Sequence, residues 1–130
     1  MSKGRWWTGW VLTGFSGLFL LLDGVMKLFK PSFVVEATVG LGYSESAIVP
    51  IGIVLVACTV LYLIPATSVL GAILLTGHLG GAIATHVRVG GPAFPILFPV
   101  IIGALVWGGL YLRDPLLKVL IPVRKSGDMQ

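Results

Sequence analysis

The sequence predicts an all-α integral membrane protein, an antiparallel four-helix bundle, and three observations carry that expectation. Of 130 residues, 56% are hydrophobic and only 11% charged, whereas a soluble domain carries about 25% charge. Mean hydropathy is +1.00. Apolar runs long enough to cross a bilayer recur between breakers. The segments GWVLTGFSGLFLLL and IVPIGIVLVACTVLYLI are apolar throughout, whereas a membrane barrel is built from segments of ~10 residues that alternate apolar and polar side chains.

Four runs are expected to span, over residues 8–29, 47–64, 66–87 and 95–112. At about 1.5 Å of rise per residue each reaches across a hydrocarbon core of ~30 Å. Prolines fall where a helix tolerates them: Pro50 in the first turn of the second run, Pro65 at the next junction, Pro95 and Pro99 at the start of the fourth. The junction at Pro65 is so short that the second and third helices are antiparallel neighbours. The chain reads as one transmembrane domain with a cytoplasmic tail over 113–130, leaving no room for a large catalytic domain outside the membrane. The first run is longer than a signal-peptide core and no small-x-small motif follows Leu22, so it is expected to be a retained helix.

The charged residues give an orientation. Lys3, Arg5, Arg113, Lys118, Arg124 and Lys125 fall at the end shared by both termini, and Lys27, Lys30 and Arg88 at the other. By the positive-inside rule both termini are expected in the cytoplasm. Trp6, Trp7, Trp10, Trp107 and Tyr111 are expected to form an aromatic belt at that face. Residues 31–43 and the run Leu116, Leu117, Leu120, Ile121 read as interfacial segments after the first and fourth helices. The net charge of +4 is not gathered into one dense run, so the partner is a lipid membrane and no nucleic acid is expected. A lone Cys58 excludes an intrachain disulfide and dithiol chemistry, and in an apolar run it reads as a small buried hydrophobe.

Ionisable groups in hydrocarbon cost ~2.5–3.5 kcal/mol at mid-helix and call for a partner or a purpose. Asp23 and Lys27 stand at i, i+4 in the favourable order, so either they neutralise each other while Lys27 snorkels outward or Asp23 handles a ligand or proton. His78 lies about 12 Å deeper than His86 by helical rise, near the depth of Asp23, and an interhelical hydrogen bond is its expected role. Asp23, Lys27, His78, His86 and Arg88 together are candidates to line one ligand pocket toward the outer leaflet. Two histidines so far apart on one helix cannot serve as opposed haem ligands, and neither they nor Cys58 have zinc spacing, so no metal site is expected. Gly71, Gly77, Gly81 and Gly103 are expected to be helix-packing positions, with Gly77 and Gly81 forming a G-x-x-x-G pair, either within the chain or in a homo-oligomer. Gly90-Gly91-Pro92 reads as a turn, with no Lys-Ser/Thr after it to make a phosphate loop.

The runs GAILLTGHLGGAIATHVRVGGP and LFPVIIGALVWGGLYLRDP resemble the signature half of the DoxX-like small membrane proteins. DGVMKLFKP and LGYSESAIVPIGIV are similar to the family's first-helix exit and second-helix entry. Asp23, Lys27, His86 and Arg88 match the family pattern, while His78 departs from it at an aromatic Tyr position, which argues against an essential role for that imidazole. The resemblance implies a four-helix inner-membrane protein from a group linked to thiosulfate and quinone oxidation and to oxidative-stress complexes. The expected function is therefore a noncatalytic membrane subunit or scaffold for a redox-enzyme partner, with quinone as its candidate cofactor. A proton-coupled transporter built on Asp23, or a purely structural helix-packing protein, are the alternatives.

Overall fold

The computed structural model describes residues 3–124; Lys125 lies outside the described residues. Six α-helices follow in order: α1 (Lys3–Phe29), α2 (Ser32–Gly40), α3 (Ile48–Leu63), α4 (Ser68–Arg88), α5 (Ala93–Arg113) and α6 (Pro115–Leu120), with single 3-10 turns leading into α3 and α4. Four of the helical segments are long and apolar enough to cross a membrane: Lys3–Phe29, Glu45–Leu63, Pro65–Arg88 and Ala93–Arg113. They match the expected spans to within a turn, except that α1 begins earlier. Because α5 starts at Ala93, Pro99 falls inside the helix rather than at its start. Lacking an N–H, Pro99 leaves the Pro95 carbonyl without its helical donor.

The spanning helices form a closed square. α1 packs against α3 and α5, and α4 packs against the same two, so α1 and α4 face each other across the diagonal. Leu20, Leu55, Tyr62, Leu75, Ile102, Val106 and Leu110 fill the middle and the end shared by the termini. Cys58 is buried among them. The outward stripe of α1, Val11, Phe15, Leu18 and Leu22, is exposed and apolar, as suits a helix whose solvent is lipid. Small hydroxyls instead occupy the interior: Thr13, Ser16, Thr59 and Ser68 are buried. Ser16 and Thr59 return hydrogen bonds to carbonyls of their own helices.

Close helix crossings rest on a set of glycines different from the one expected. A Cβ at Gly9 would stand 2.7 Å from the Gly109 carbonyl oxygen, and one at Gly52 would stand 2.9 Å from that of Gly24. These two contacts seat α1 against α5 and α3. Gly71 is pressed onto the backbone of Tyr62, where there is no room for a Cβ. Gly103 makes only ordinary contact, 3.7 Å from Leu79. Gly77 and Gly81 have no neighbour within 4 Å of a Cβ, so their G-x-x-x-G pair is not a packing seam within the chain.

Between the spans, α2 is the segment read as interfacial. Lys30 and Gly42 flank it with φ of 52° and 98°. Gly90 turns α4 into α5 with φ of 71°, giving the expected Gly-Gly-Pro turn. At the other end, the Asp114 carboxylate caps α6 by accepting from the Leu116 N–H at 3.0 Å. Leu117 of α6 is buried under the bundle while Leu116 is exposed, so α6 is anchored by one side chain.

Candidate functional site

At the end away from the termini the square does not close on itself. It opens into a cavity of about 690 Å³ between diagonal partners α1 and α4, roofed by α2 and walled by the start of α5. That volume lies within the range of small-molecule sites, about 300–1,000 Å³. Four of the five expected ligand candidates line it: Asp23 and Lys27 from α1, His78 and His86 from α4.

Asp23 and Lys27 form a 2.6 Å ion pair. The Lys27 side chain is 18% exposed and that of Asp23 41% exposed, so the lysine does not snorkel to the surface. Its stem is held where α1 meets Gly52 of α3, and its ammonium stays at the cavity wall. His78 feels the charges of both Lys27 and Asp23. It makes no interhelical hydrogen bond among the described residues, contrary to expectation. Its ring lines the cavity, as do Asp23 and Lys27 of α1.

Arg88 is the candidate that stands apart. Its Nη2 donates to the Leu41 carbonyl at 2.8 Å, which fastens the end of α2 to the end of α4 at the cavity mouth. A second bond joins the same elements: the Tyr43 hydroxyl lies 2.7 Å from Thr85 Oγ1. Tyr43 and Thr85 both line the cavity. Neither was legible as a site residue, because Tyr43 sits in a connecting segment whose path over α4 is a tertiary fact.

The apolar wall is aromatic. Phe19, Phe94 and Phe98 line the cavity, with Phe19 and Phe98 edge-to-face at 5.1 Å and Phe94 tilted against Phe98 at 5.5 Å. Ring faces of this kind receive a planar guest well. Gly77 and Gly81 also line the cavity. Their missing side chains contribute to the space rather than to a helix contact. Among the described residues no group of three or more His, Cys, Asp or Glu is placed to hold a metal.

A second polar cluster closes the opposite half of the bundle. Arg113 Nε donates to Thr13 Oγ1 at 3.0 Å and Nη2 to Ser68 Oγ at 3.2 Å, while the guanidinium lies 4.1 Å over the Trp10 ring. The buried Tyr62 hydroxyl donates to the Val106 carbonyl at 2.7 Å. Arg113 thus ties α5 to α1 and α4, and Tyr62 ties α3 to α5. Trp107 ties α5 to α4. Its indole donates to Thr76 Oγ1 at 2.7 Å in the middle of α4.

The fold and the cavity define a class: a small four-helix integral membrane protein with a polar, aromatic-walled pocket at one end of the bundle. The family model of the DoxX-like family matches residues 11–109, and the chain belongs to that family. It matches no curated protein and no solved structure.

Proposed function

We propose that the chain is a noncatalytic membrane subunit that serves a redox-enzyme partner and holds a quinone ring in this cavity. Its place is the inner (plasma) membrane, with both termini in the cytoplasm and the cavity toward the outer leaflet. The observation that carries the proposal is the union of a Lys27–Asp23 pair with the packed rings of Phe19, Phe94 and Phe98 around one space of about 690 Å³. A quinone ring needs an aromatic wall and a donor for its carbonyl. Phe19, Phe94 and Phe98 supply the first, and Lys27, with N–H groups beyond the one given to Asp23, supplies the second. A bound quinone would supply two-electron redox capacity, with the partner as the source of turnover. Transport by Asp23 is less well supported, because Lys27 at 2.6 Å already neutralises the carboxylate and opposes a cationic substrate.

The test is direct. Protein purified in mild detergent is extracted and its lipids are identified, and its melting is followed with and without added short-chain quinone. Co-purified quinone and a raised melting temperature are expected, with both reduced in Lys27→Met. Absence of quinone together with an unmoved melting curve overturns the proposal.

A further inference from the structure

The cavity mouth has a hydrogen-bond polarity that the backbone of α4 imposes. His86 Nδ1 stands 2.8 Å from the Ala82 carbonyl oxygen. A carbonyl has no proton to give, so the ring nitrogen carries it and Nδ1–H donates. In the neutral ring Nε2 then keeps its lone pair, and among the described residues no donor occupies it. The same logic runs one residue earlier. Thr85 Oγ1 donates its proton to the Gly81 carbonyl at 2.8 Å. Its contact with Tyr43 at 2.7 Å must therefore be a donation from the Tyr43 hydroxyl, which leaves the Tyr43 oxygen with open lone pairs. Two carbonyls of α4, those of Gly81 and Ala82, thus turn both polar groups at the mouth into acceptors.

We infer that the cavity selects a head group that donates a hydrogen bond at its mouth, a phenolic hydroxyl, and that His86 Nε2, supported by the Tyr43 oxygen, is the acceptor that selects it. The inference rests on the quinone reading above and deepens it: the favoured guest is the reduced, hydroxyl-bearing ring. A phenol suits the site better than an ammonium. Lys27 lines the cavity and Arg88 fastens its mouth, so a second cation would be repelled, while the phenylalanine wall accepts a ring.

The experiment uses the full chain in lipid nanodiscs and three short-chain probes measured by calorimetry: a hydroquinone kept reduced, its dimethyl ether, and the corresponding quinone. The hydroquinone is expected to bind about tenfold more tightly than the ether, the worth of one good hydrogen bond. In His86→Phe the two should bind within about twofold of each other, with an unchanged far-ultraviolet circular dichroism spectrum and cooperative melting as proof that the variant is folded. Nitrogen-15 spectra of the labelled wild-type imidazole give an answer without any variant: Nε2 should be of the unprotonated type and Nδ1 of the protonated type. Equal affinity for hydroquinone and ether, an unaltered ratio in His86→Phe, or the reverse tautomer overturns the inference. If quinone binds and the other two are not distinguished, this inference fails alone; if none of the three binds, the quinone reading fails with it.

Discussion

Single side chains show how far a membrane sequence can be read. The Asp23–Lys27 pair was legible because both partners lie on one helix at a spacing fixed by helical geometry. Removing one partner should cost more than removing both. Asp23→Asn leaves the Lys27 ammonium, 18% exposed, without its carboxylate, and is expected to lower stability by about 1–3 kcal/mol. The double change Asp23→Asn with Lys27→Met should recover most of that loss. Thermal melting of the three variants in detergent checks it, and a double variant no more stable than Asp23→Asn would contradict it. Arg113 was not legible in the same way. A cation at the end of an apolar run reads as an orientation signal, and its partners Thr13, Ser68 and Trp10 come from two other helices. The guanidinium reaches two hydroxyls and a ring face at once, which an ammonium cannot do. Arg113→Lys is therefore expected to lower the melting temperature nearly as much as Arg113→Met, and full stability in the lysine variant would mean that charge alone matters there.

Between elements, the same residue type does opposite things, and here the sequence pattern misleads. The four spans and their turns follow from hydropathy and prolines, but which glycine is a seam depends on what stands across from it. Gly109 has Arg113 at i+4 and Gly9 has Thr13, so neither shows a G-x-x-x-G pair, yet each meets the other's backbone. Gly77 and Gly81 have the motif spacing and border open space. Gly109→Ala would put a methyl 2.7 Å from Thr13 Oγ1 and 2.9 Å from the Gly9 carbonyl. It should destabilise the α1–α5 crossing by about 1–3 kcal/mol. Gly77→Ala should leave stability unchanged or raise it by up to about 1 kcal/mol, while taking space from the cavity and weakening ligand binding. Melting and probe affinity measured on both variants separate the two roles. The helix α2 offers a further test. It crosses the mouth between residues of positive φ and is fastened to α4 by Tyr43–Thr85 and Arg88–Leu41. Loss of both bonds, at about 1 kcal/mol each, should raise its opening roughly 30-fold. In a Cys58→Ala background, Thr38→Cys under α2 reports that opening by its rate of maleimide labelling. Equal rates with and without Tyr43→Phe and Arg88→Gln would mean that α2 is held by its apolar contacts alone.

For the whole molecule, the two ends differ in how their charges are used. At the cavity end Lys27 is paired with Asp23, Lys30 lies 3.4 Å from Glu45, and Arg88 serves the Leu41 carbonyl. At the end of the termini Lys3, Lys118 and Arg124 have no carboxylate partner among the described residues. The Lys/Arg bias and the Lys27–Asp23 pair were visible in the sequence, but the engagement of Lys30 and Arg88 was not, because their partners are set by the path of the chain between α1 and α3. The positive-inside rule expects the end of the termini in the cytoplasm. Single cysteines in the Cys58→Ala background test it in intact cells. Ser32→Cys, at the start of α2, should be labelled by a membrane-impermeant maleimide added outside, and Gly4→Cys should be labelled only after the membrane is opened. The reverse pattern would turn the cavity mouth toward the cytoplasm, and the proposed redox partner would then have to meet it from that face.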